Sequence, residues 1–215
     1  MMSSLIPSKE EMYRSLAERH GEEMQKRLEN ASAAVCGLGG LGSNIAISLA
    51  RAGIGRLHLI DFDKVDISNL NRQQYFPEQI GQFKTDALRE TLSRIAPYCE
   101  LTTDTVRLDA ENIPRILRDD PIICEAFDRA DAKAMLVNTV LETFLDKYLV
   151  AGSGMAGIDS ANEISTRRIT KRFYLCGDGK SDLADGLGLF SSRVMVCAAH
   201  QAHMVIRIIA GKTDW

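Results

Sequence analysis

Short apolar runs alternate with amphipathic segments along most of this chain of 215 residues. An apolar run bounded by glycine, proline or polar residues predicts a buried strand, and apolar residues at three- and four-residue spacing predict a helix. We expect strands at 33–36, 56–60, 100–106, 121–126 and 147–151, and helices at 83–96, 109–118 and 130–144. This alternation predicts parallel strands joined by right-handed helical crossovers.

The pattern changes after residue 151, where glycines become frequent. Residues 162–169 and 171–175 alternate between apolar and polar positions and predict two antiparallel strands. The long, largely apolar stretch 189–210 predicts a closing helix. The expected architecture is a doubly wound α/β fold. It has a mainly parallel, Rossmann-like sheet with helices on both faces, a short antiparallel addition and a closing C-terminal helix.

The first thirty residues differ from the rest in lacking a buried strand pattern. Ser8 and Glu11 have capping-box spacing, and the segment 8–30 is rich in helix-forming residues, which predicts one helix at the surface. We therefore divide the chain into an N-terminal helical segment, 1–30, and a single α/β domain, 31–215.

Composition and charge narrow the range of partners. The formal net charge is −3, with 45% apolar and 26% charged residues, which lacks the basic excess typical of nucleic-acid binding. No stretch reaches the ~18 apolar residues of a membrane span, and the first residues lack the apolar core of a signal peptide. The five cysteines form no C-x-x-C pair, so they indicate neither a disulfide framework nor a zinc site. We expect a cytoplasmic protein that binds no zinc, no nucleic acid and no membrane.

A glycine-rich turn follows the first predicted strand. Gly37, Gly39 and Gly42 have the spacing Gly-x-Gly-x-x-Gly, and Asp61 stands about twenty residues later, at the end of the second predicted strand. Glycines let the backbone approach a phosphate at a helix start, and the acid can accept hydrogen bonds from ribose hydroxyls. The turn alone is compatible with NAD, with ATP or with a purely structural role.

The residues that follow Asp61 favour ATP over NAD, because they are unusually polar for a segment after a core strand. Arg72 has a planar fork that suits phosphate oxygens, and Lys84 can supply a point charge. Asn69 and Asn71 can donate from their side-chain amides. A triphosphate needs such groups, whereas hydride transfer does not.

Asp128 follows the predicted strand 121–126. In open α/β sheets, ligands lie outside the carboxyl ends of the strands, so this carboxylate is placed to bind Mg²⁺ together with substrate phosphates. The alternative is a cap on the helix predicted at 130–144. Taken by itself, the cap is the more ordinary role.

The order and spacing of five motifs resemble the ubiquitin-activating-enzyme superfamily. They are Gly-x-Gly-Gly-Leu-Gly at 37–42, Asp-Phe-Asp at 61–63, Ser-Asn-Leu-Asn-Arg-Gln at 68–73, Gly-x-x-Lys at 81–84 and a late strand that ends in Asp128. Within the superfamily, the chain resembles the bacterial sulfur-carrier-protein adenylyltransferases of the ThiF/MoeB type, and most of all a short, thiamine-pathway-like branch. The resemblance is strong over residues 30–150 and looser from 150 to 215.

The resemblance implies an enzyme, a nucleotidyltransferase that uses ATP and Mg²⁺. Its expected substrate is the C-terminal carboxylate of a small ubiquitin-like, ThiS-like sulfur-carrier protein ending in Gly-Gly, and a homodimer is expected. The implied nucleotide-binding residues are Gly37, Gly39, Gly40, Gly42, Asp61, Asp63, Asn69, Asn71, Arg72, Gln73 and Lys84. The implied catalytic residues are Arg72, Lys84, Asp128 and Arg14, with Asp128 as the Mg²⁺ ligand.

For two residues singled out by the resemblance, Arg14 and Cys176, an ordinary structural role is an alternative to the functional one. In the family, an arginine from the N-terminal helix of a second subunit reaches the nucleotide; Arg14 stands at about the right distance before the glycine turn, and Arg19 is the competitor. Either arginine is equally compatible with a solvated helix face. Some relatives use a cysteine in the crossover loop for sulfur transfer, and Cys176 is the candidate because glycines surround it. The plainer interpretation of Cys176 is a half-buried residue at a strand end.

Three other functions compete with carrier-protein adenylylation. One is ATP-dependent activation of a small-molecule or tRNA-borne carboxylate by a related enzyme, and another is a non-catalytic nucleotide-binding subunit. The latter usually loses the arginine, lysine or metal aspartate, which are all present here as Arg72, Lys84 and Asp128. An NAD-dependent dehydrogenase is the weakest alternative, because it would leave the polar cluster at 68–73 unexplained.

Overall fold

The fold was examined in a computed structural model that describes residues 6–182 and 186–213. The strands are β1 (Ser32–Cys36), β2 (Arg56–Ile60), β3 (Glu100–Asp104), β4 (Ile122–Glu125), β5 (Tyr148–Gly152), β6 (Ser165–Arg168) and β7 (Phe173–Gly177). The helices are α1 (Lys9–His20), α2 (Glu22–Glu29), α3 (Gly40–Ala52), α4 (Lys84–Ile95), α5 (Ile113–Ile116), α6 (Ala130–Thr143) and α7 (Ser191–Ile209).

The seven strands form one sheet in the order β3-β2-β1-β4-β5-β7-β6. Every neighbouring pair is parallel except β6 and β7, which are antiparallel. The mainly parallel, doubly wound sheet with an antiparallel addition is therefore confirmed. The strand order reverses between β1 and β4, and in such sheets the crevice for a ligand opens at the carboxyl ends of the strands at that point.

Apolar cores lie on both faces of the sheet. Strand β1 shows why, since Ala33 and Val35 belong to the core beneath α3, α4 and α7, while Ala34 and Cys36 belong to the core beneath α5 and α6. A central strand buried on both faces is expected to be a nearly continuous apolar run, as β1 is from Ala33 to Cys36. The closing helix α7 packs along α3 and against β5 and β7, which confirms its predicted place.

Several predicted elements are shorter or broken in the structure, among them the strand expected over 162–169, which is limited to Ser165–Arg168. The helix expected over 8–30 is interrupted at Gly21, whose φ of 92° does not fit a helix. The strand expected over 100–106 ends at Asp104. The helix expected over 109–118 shrinks to Ile113–Ile116, because the Asp109 side chain accepts the N–H groups of the next residues in a turn.

Within residues 6–182 and 186–213, no helix has both the length and the apolar content that are needed to cross a membrane.

Candidate functional site

The glycine turn joins β1 to α3 at the point where the strand order reverses. Gly37 has a φ of 91° and donates its N–H to the carbonyl of Ile60 at 2.8 Å. A Cβ atom at Gly37 would lie 2.8 Å from the Phe127 ring, and one at Gly42 would clash with the carbonyl oxygen of Gly37. These two glycines allow close backbone packing. Gly39 differs, since a Cβ there would meet only the Gln73 amide nitrogen, at 3.7 Å.

Asp61 ties the end of β2 to the glycine turn. Its Oδ2 accepts the N–H of Leu38 at 2.6 Å, and its Oδ1 accepts the N–H of Asp63 at 2.8 Å. Burial raises the pKa of Asp61, while the nearby Lys84 charge and the two backbone N–H groups oppose that rise. Each carboxylate oxygen has a further lone pair for another donor. The predicted ribose ligand is therefore also a structural brace of the turn.

Lys84 begins helix α4 and reaches back to the residues after β2. Its ammonium lies 3.1 Å from the Asp63 carboxylate, and its backbone N–H donates to the Asp63 carbonyl at 2.9 Å. The Lys84 side chain is 7% exposed, whereas that of Asp63 is 50% exposed. Two residues predicted to bind the nucleotide thus form an ion pair, which fixes the position of the lysine charge.

Arg72 lies directly over the start of α3. Its side-chain stem would be 3.3 Å from a Cβ atom at Gly40, so a larger residue at that glycine would push the arginine away. The guanidinium donates to the carbonyl of Ser68 at 3.1 Å and to the side chain of Asn71 at 2.9 Å. No carboxylate pairs with it among the residues that the structure describes. Its charge is thus held beside the glycine turn without an anionic partner.

The side chains of Asn69 and Asn71 form hydrogen bonds that stabilise the conformation of the polar segment 61–74, which follows β2. The Asn69 side chain accepts the N–H of Asp66 at 3.1 Å and completes a capping box. The Asn71 amide donates to the carbonyl of Leu189 at 3.1 Å, just before α7. The Asn71 donor therefore already has a partner within the chain, whereas the Asn69 amide nitrogen has only a 3.5 Å contact with the Ser68 hydroxyl.

Gln73 is the polar side chain closest to the open face at Gly39. It is 7% exposed, and its Oε1 has no hydrogen-bond partner within the part of the chain that the structure describes. A buried amide oxygen without a partner is unusual in a folded protein. The amide nitrogen of the same side chain lies beside Gly39, so Gln73 fits a site that is completed by a polar ligand.

Asp128 is exposed in the turn between β4 and α6. Phe127, which directly precedes Asp128 in that turn, packs against Gly37. The Asp128 carboxylate therefore lies at the same edge of the sheet as the glycine turn. The N-cap of α6 is Arg129, and no side chain caps that helix end. The helix-capping alternative for Asp128 is therefore wrong.

Arg14 lies at the other end of the molecule from the glycine turn. The neighbouring Leu16 packs against Gly53, which ends α3, while the glycine turn begins that helix. At about 1.5 Å per residue, the two ends of this helix are roughly 20 Å apart. Arg14 and Arg19 are both exposed. Neither arginine belongs to the site of its own chain.

Cys176 does not lie in a loop. It is inside β7 and 0% exposed. Burial raises the pKa of its thiol to about 11, although the Thr166 hydroxyl, 3.5 Å from the sulfur, acts against this rise. A reactive thiol needs exposure and a lowered pKa. The loop location inferred from the surrounding glycines is corrected, because those glycines flank a strand of the core.

Several residues that support the site were missed by the sequence reasoning. The first turn of α3 contributes Ser43, which accepts the N–H of Gln74 at 3.2 Å, and Asn44, which donates to the Arg72 carbonyl at 3.2 Å. The hydroxyl of Tyr75 donates to the carbonyl of Leu38 at 2.8 Å. Small polar residues in the first turn after a glycine motif were the available signal.

A buried charge pair below the Asp128 turn was also missed. Glu125 is 0% exposed at the end of β4, and the Lys133 ammonium lies 3.0 Å from its carboxylate. Burial raises the pKa of Glu125, and the Lys133 charge opposes that rise. The eight-residue spacing, from a strand to a helix face, gives no helical or strand periodicity that would have revealed the pair.

The described residues were also searched for metal sites. Within residues 6–182 and 186–213, no group of three or more His, Cys, Asp or Glu side chains could hold a metal ion.

Fold and site together define a doubly wound α/β domain whose glycine turn, arginine and acidic residues meet at the point where the strand order reverses. The sequence matches the family model described as "ThiF family" over residues 12–214. The chain belongs to the ThiF family.

Named relatives cover different parts of the chain. It is 37% identical over 132 residues to the adenylyltransferase and sulfurtransferase UBA4 of Scheffersomyces stipitis, covering 61% of this chain and 29% of that protein. It is 30% identical over 202 residues to the adenylyltransferase and sulfurtransferase MOCS3 of Drosophila virilis, covering 90% of this chain and 44% of that protein. The chain therefore spans less than half the length of these curated relatives.

Two solved structures share the fold. The tRNA N6-threonylcarbamoyladenosine dehydratase TcdA of E. coli, crystallised with ATP, gives a TM-score of 0.85 at 21% identity, covering 97% of this chain and 98% of that one. MccB of E. coli with ATP gives a TM-score of 0.69 at 22% identity, covering 89% of this chain and 59% of that one. At these identities the likeness establishes the fold.

Proposed function

We propose that this chain adenylylates the C-terminal glycine carboxylate of a small ubiquitin-like sulfur-carrier protein that ends in Gly-Gly. ATP is consumed as its Mg²⁺ complex, the products are an acyl-adenylate and pyrophosphate, and the Mg²⁺ ion itself is not used up. The observation that carries the proposal is the open face at Gly39, bordered by the side-chain amide of Gln73, whose Oε1 has no hydrogen-bond partner among the described residues. Arg72 and Asp128 stand at the same edge of the sheet.

The residues at this edge fit a nucleoside triphosphate. A phosphate can approach the backbone at Gly39, where the N-terminus of α3 favours an anion. The Arg72 guanidinium and the Lys84 ammonium supply positive charge on the side of the polar segment. Asp61 retains acceptor positions for ribose hydroxyls. Together these groups offer acceptors for a ribose and positive charge for phosphates.

Asp128 is the proposed ligand of Mg²⁺. It is an exposed carboxylate, and a single carboxylate with substrate phosphates is a common way to hold this ion. The ion, when bound with ATP, would neutralise negative charge on the phosphate oxygens.

The chemistry needs position and charge rather than a protein nucleophile. A carboxylate oxygen of the carrier forms a bond to the α-phosphorus, and the bond from that phosphorus to its bridging oxygen breaks, so that the electron pair leaves with pyrophosphate. The carboxylate arrives ionised, so no base is required. Arg72 and Lys84 would stabilise the charge that grows on the phosphate oxygens, and Asp63 holds the lysine in place.

The proposed carrier and pathway rest on relatives. Two relatives are named adenylyltransferase and sulfurtransferase, and another ThiF-fold enzyme, MccB, has been crystallised with MccA and an ATP analogue. Thiamine biosynthesis is proposed because the short chain resembles that branch of the family. Cys176 takes no part in the proposal, since its thiol is buried.

A homodimer is part of the proposal. Five large apolar side chains are exposed between residues 62 and 83, next to the site: Phe62, Ile67, Phe76, Ile80 and Phe83. Such exposure is typical of a surface that a partner covers. Because Arg14 is roughly one helix length from its own glycine turn, it could act only on the site of a second subunit.

A second candidate is activation of a carboxylate carried by tRNA or by a small molecule. It is favoured by the likeness of the fold to TcdA, which is named a tRNA N6-threonylcarbamoyladenosine dehydratase and matches 97% of this chain with a TM-score of 0.85. The two candidates differ in what stimulates the exchange of pyrophosphate into ATP.

Pyrophosphate–ATP exchange tests the proposal directly. We expect exchange with Mg²⁺ that requires a carrier ending in Gly-Gly and is lost when the two glycines are removed. Exchange that responds to tRNA but not to any such carrier would favour the second candidate, and exchange indifferent to both would contradict the proposal.

Asp128→Ala should lower exchange at least about 100-fold while leaving the thermal midpoint nearly unchanged, because an exposed charge that acts on the reacting phosphates is lost. Asp131→Ala is a matched control, since Asp131 is an exposed acid three residues away that pairs with Arg129. Equal activity in the two variants would remove Asp128 from the metal site.

A further inference from the structure

The turn that carries Asp128 is built on a buried charge pair. Glu125, the last residue of β4, is 0% exposed, and the side chain of Lys133, in α6, is 21% exposed. The lysine ammonium lies 3.0 Å from each of the two carboxylate oxygens of Glu125. A strand end and a helix are thus joined by charge directly beneath the turn.

The two charged side chains bind both backbone polar groups of Phe127, the residue that directly precedes Asp128. The N–H of Phe127 donates to Glu125 Oε1 at 2.7 Å, and Lys133 Nζ donates to the carbonyl of Phe127 at 2.8 Å. That carbonyl belongs to the peptide that joins Phe127 to Asp128. The backbone direction at Asp128 is therefore set by the two charged side chains.

The same turn is wedged between the glycine turn and α7. The Phe127 ring would lie 2.8 Å from a Cβ atom at Gly37. On the other side, the Glu125 carbonyl accepts the Gln201 side-chain amide at 2.9 Å. A shift of the turn would have to break these contacts, so its distance from the glycine turn is fixed.

Stability alone is a poor reason for such a pair. Replacing a buried ion pair with apolar residues of similar volume is often neutral or stabilising, whereas removing one partner leaves a buried charge. A buried pair that binds the backbone beside an exposed carboxylate has another use, because ligands are commonly oriented by the residues behind them.

We propose that Glu125 and Lys133 are positioning residues that hold the Asp128 carboxylate at a fixed place beside the glycine turn. The inference rests on the proposed function, since it takes Asp128 as the residue that meets the Mg²⁺–ATP complex. Glu125 and Lys133 touch neither nucleotide nor metal; they act through the Phe127 backbone.

The Mg²⁺ dependence of Glu125→Gln tests this role. The variant keeps the side-chain shape and removes the charge, so Lys133 loses its partner and the turn loosens. We expect the Mg²⁺ concentration for half-maximal pyrophosphate exchange to rise about 10- to 100-fold, while ATP binding measured by calorimetry with EDTA stays within about twofold. Lys133→Met should show the same split, and Lys133→Arg, which keeps the charge, should restore most of the wild-type dependence.

Asp120→Asn is the matched control for lost stability. Asp120 is 4% exposed and pairs with His58 at the opposite end of β4, so the change breaks a buried pair far from the turn. We expect this variant to lower the thermal midpoint without a change in Mg²⁺ dependence. Equal Mg²⁺ shifts in the Glu125 and Asp120 variants would overturn the inference.

Hydrogen exchange gives a readout without activity. In the unliganded protein, the Phe127 amide should exchange faster in Glu125→Gln than in wild type, while the amides of β1 keep their protection. Unchanged protection of Phe127 would overturn the inference. A wild-type chain that shows this protection but no pyrophosphate exchange would instead contradict the proposed function.

Discussion

A Cβ atom added at Gly42 would clash with the Gly37 carbonyl, whereas one added at Gly39 would face open space beside Gln73. The same residue type thus serves two purposes within six positions. One glycine permits the close backbone packing of strand and helix, and the other leaves room for a ligand. The two purposes can be separated by the same substitution at the two positions.

Gly42→Ala should destabilise the fold by about 3 kcal/mol, because the methyl group has no free volume and the backbone must move. Gly39→Ala should cost less than about 1 kcal/mol, the scale of a changed helix cap, yet weaken ATP binding roughly tenfold or more by blocking a phosphate contact. Urea unfolding and calorimetry measure the two effects. Normal ATP affinity in a folded Gly39→Ala protein would show that no phosphate passes there.

At this scale, the sequence predicted which residue types would be near the glycine turn but not how they pair. Asp61 and Lys84 stand at the expected ends of elements, and the structure brings them together with Arg72. The N–H of Leu38, which bonds to Asp61, and the Asp63 carboxylate, which pairs with Lys84, each lie more than twenty positions away. Such pairs depend on the three-dimensional path of the chain, which periodicity does not encode.

Elements of the sheet are linked by side chains as well as by backbone ladders. His58, in the middle of β2, lies 2.8 Å from Asp120, before β4, and 2.9 Å from Asp104, at the end of β3. Burial acts to lower the pKa of His58, but the two carboxylates outweigh it and raise the pKa above 6.5. One imidazole therefore joins β2 to its neighbour β3 and to the segment that precedes β4, although β1 lies between β2 and β4 in the sheet.

The His58 contribution to stability should depend on pH. Because the folded-state pKa is raised, the stabilisation is fully present below about pH 6.5, the unfolded value, and is lost as pH rises through the folded pKa. The difference in free energy of unfolding between wild type and His58→Gln should shrink from pH 6 to pH 9. Urea titrations at several pH values measure it, with Asp109→Asn as a control in an exposed turn. A constant difference would contradict the charged pair.

The central elements could be predicted because their residues are apolar on both faces, as β1 is. The elements at the margins could not. The helix predicted over 8–30 is broken at Gly21, whose φ is positive. The capping box and the helix-forming residues around Gly21 gave no indication of this break. The strand β7 was expected to end at residue 175, so Cys176 was placed in a loop. The glycines that follow it suit a loop and the end of a buried strand equally well, and the composition does not separate the two.

Arg14 and the glycine turn, which are proposed to act in the same reaction, lie at opposite ends of the molecule. Helix α1, with Arg14, packs near the end of α3, and the glycine turn lies at its start. The exposed apolar residues between 62 and 83 offer a surface beside the site. A symmetric dimer would allow each α1 to meet the other subunit's site, since a two-fold interface uses the same surfaces twice.

Mixing two inactive variants tests that arrangement. Arg14→Ala supplies an intact Asp128, and Asp128→Ala supplies an intact Arg14, so one site of each mixed dimer is complete. Random reassociation should restore about a quarter of wild-type pyrophosphate exchange. Mixing Arg19→Ala with Asp128→Ala tests the competitor in the same way. Absence of rescue from an inactive Arg14→Ala protein would mean that Arg14 does not act across subunits.

The sheet ends at β6, whose outer side has no neighbouring strand in the described part of the chain. An open edge of this kind is a template on which foreign chains can add. Here Arg167 and Arg168 are exposed along that edge, and the sheet's other end, β3, begins with an exposed glutamate and ends with an aspartate. Pairing with another strand would take these charged side chains out of water, so both borders of the sheet disfavour the addition of a foreign strand.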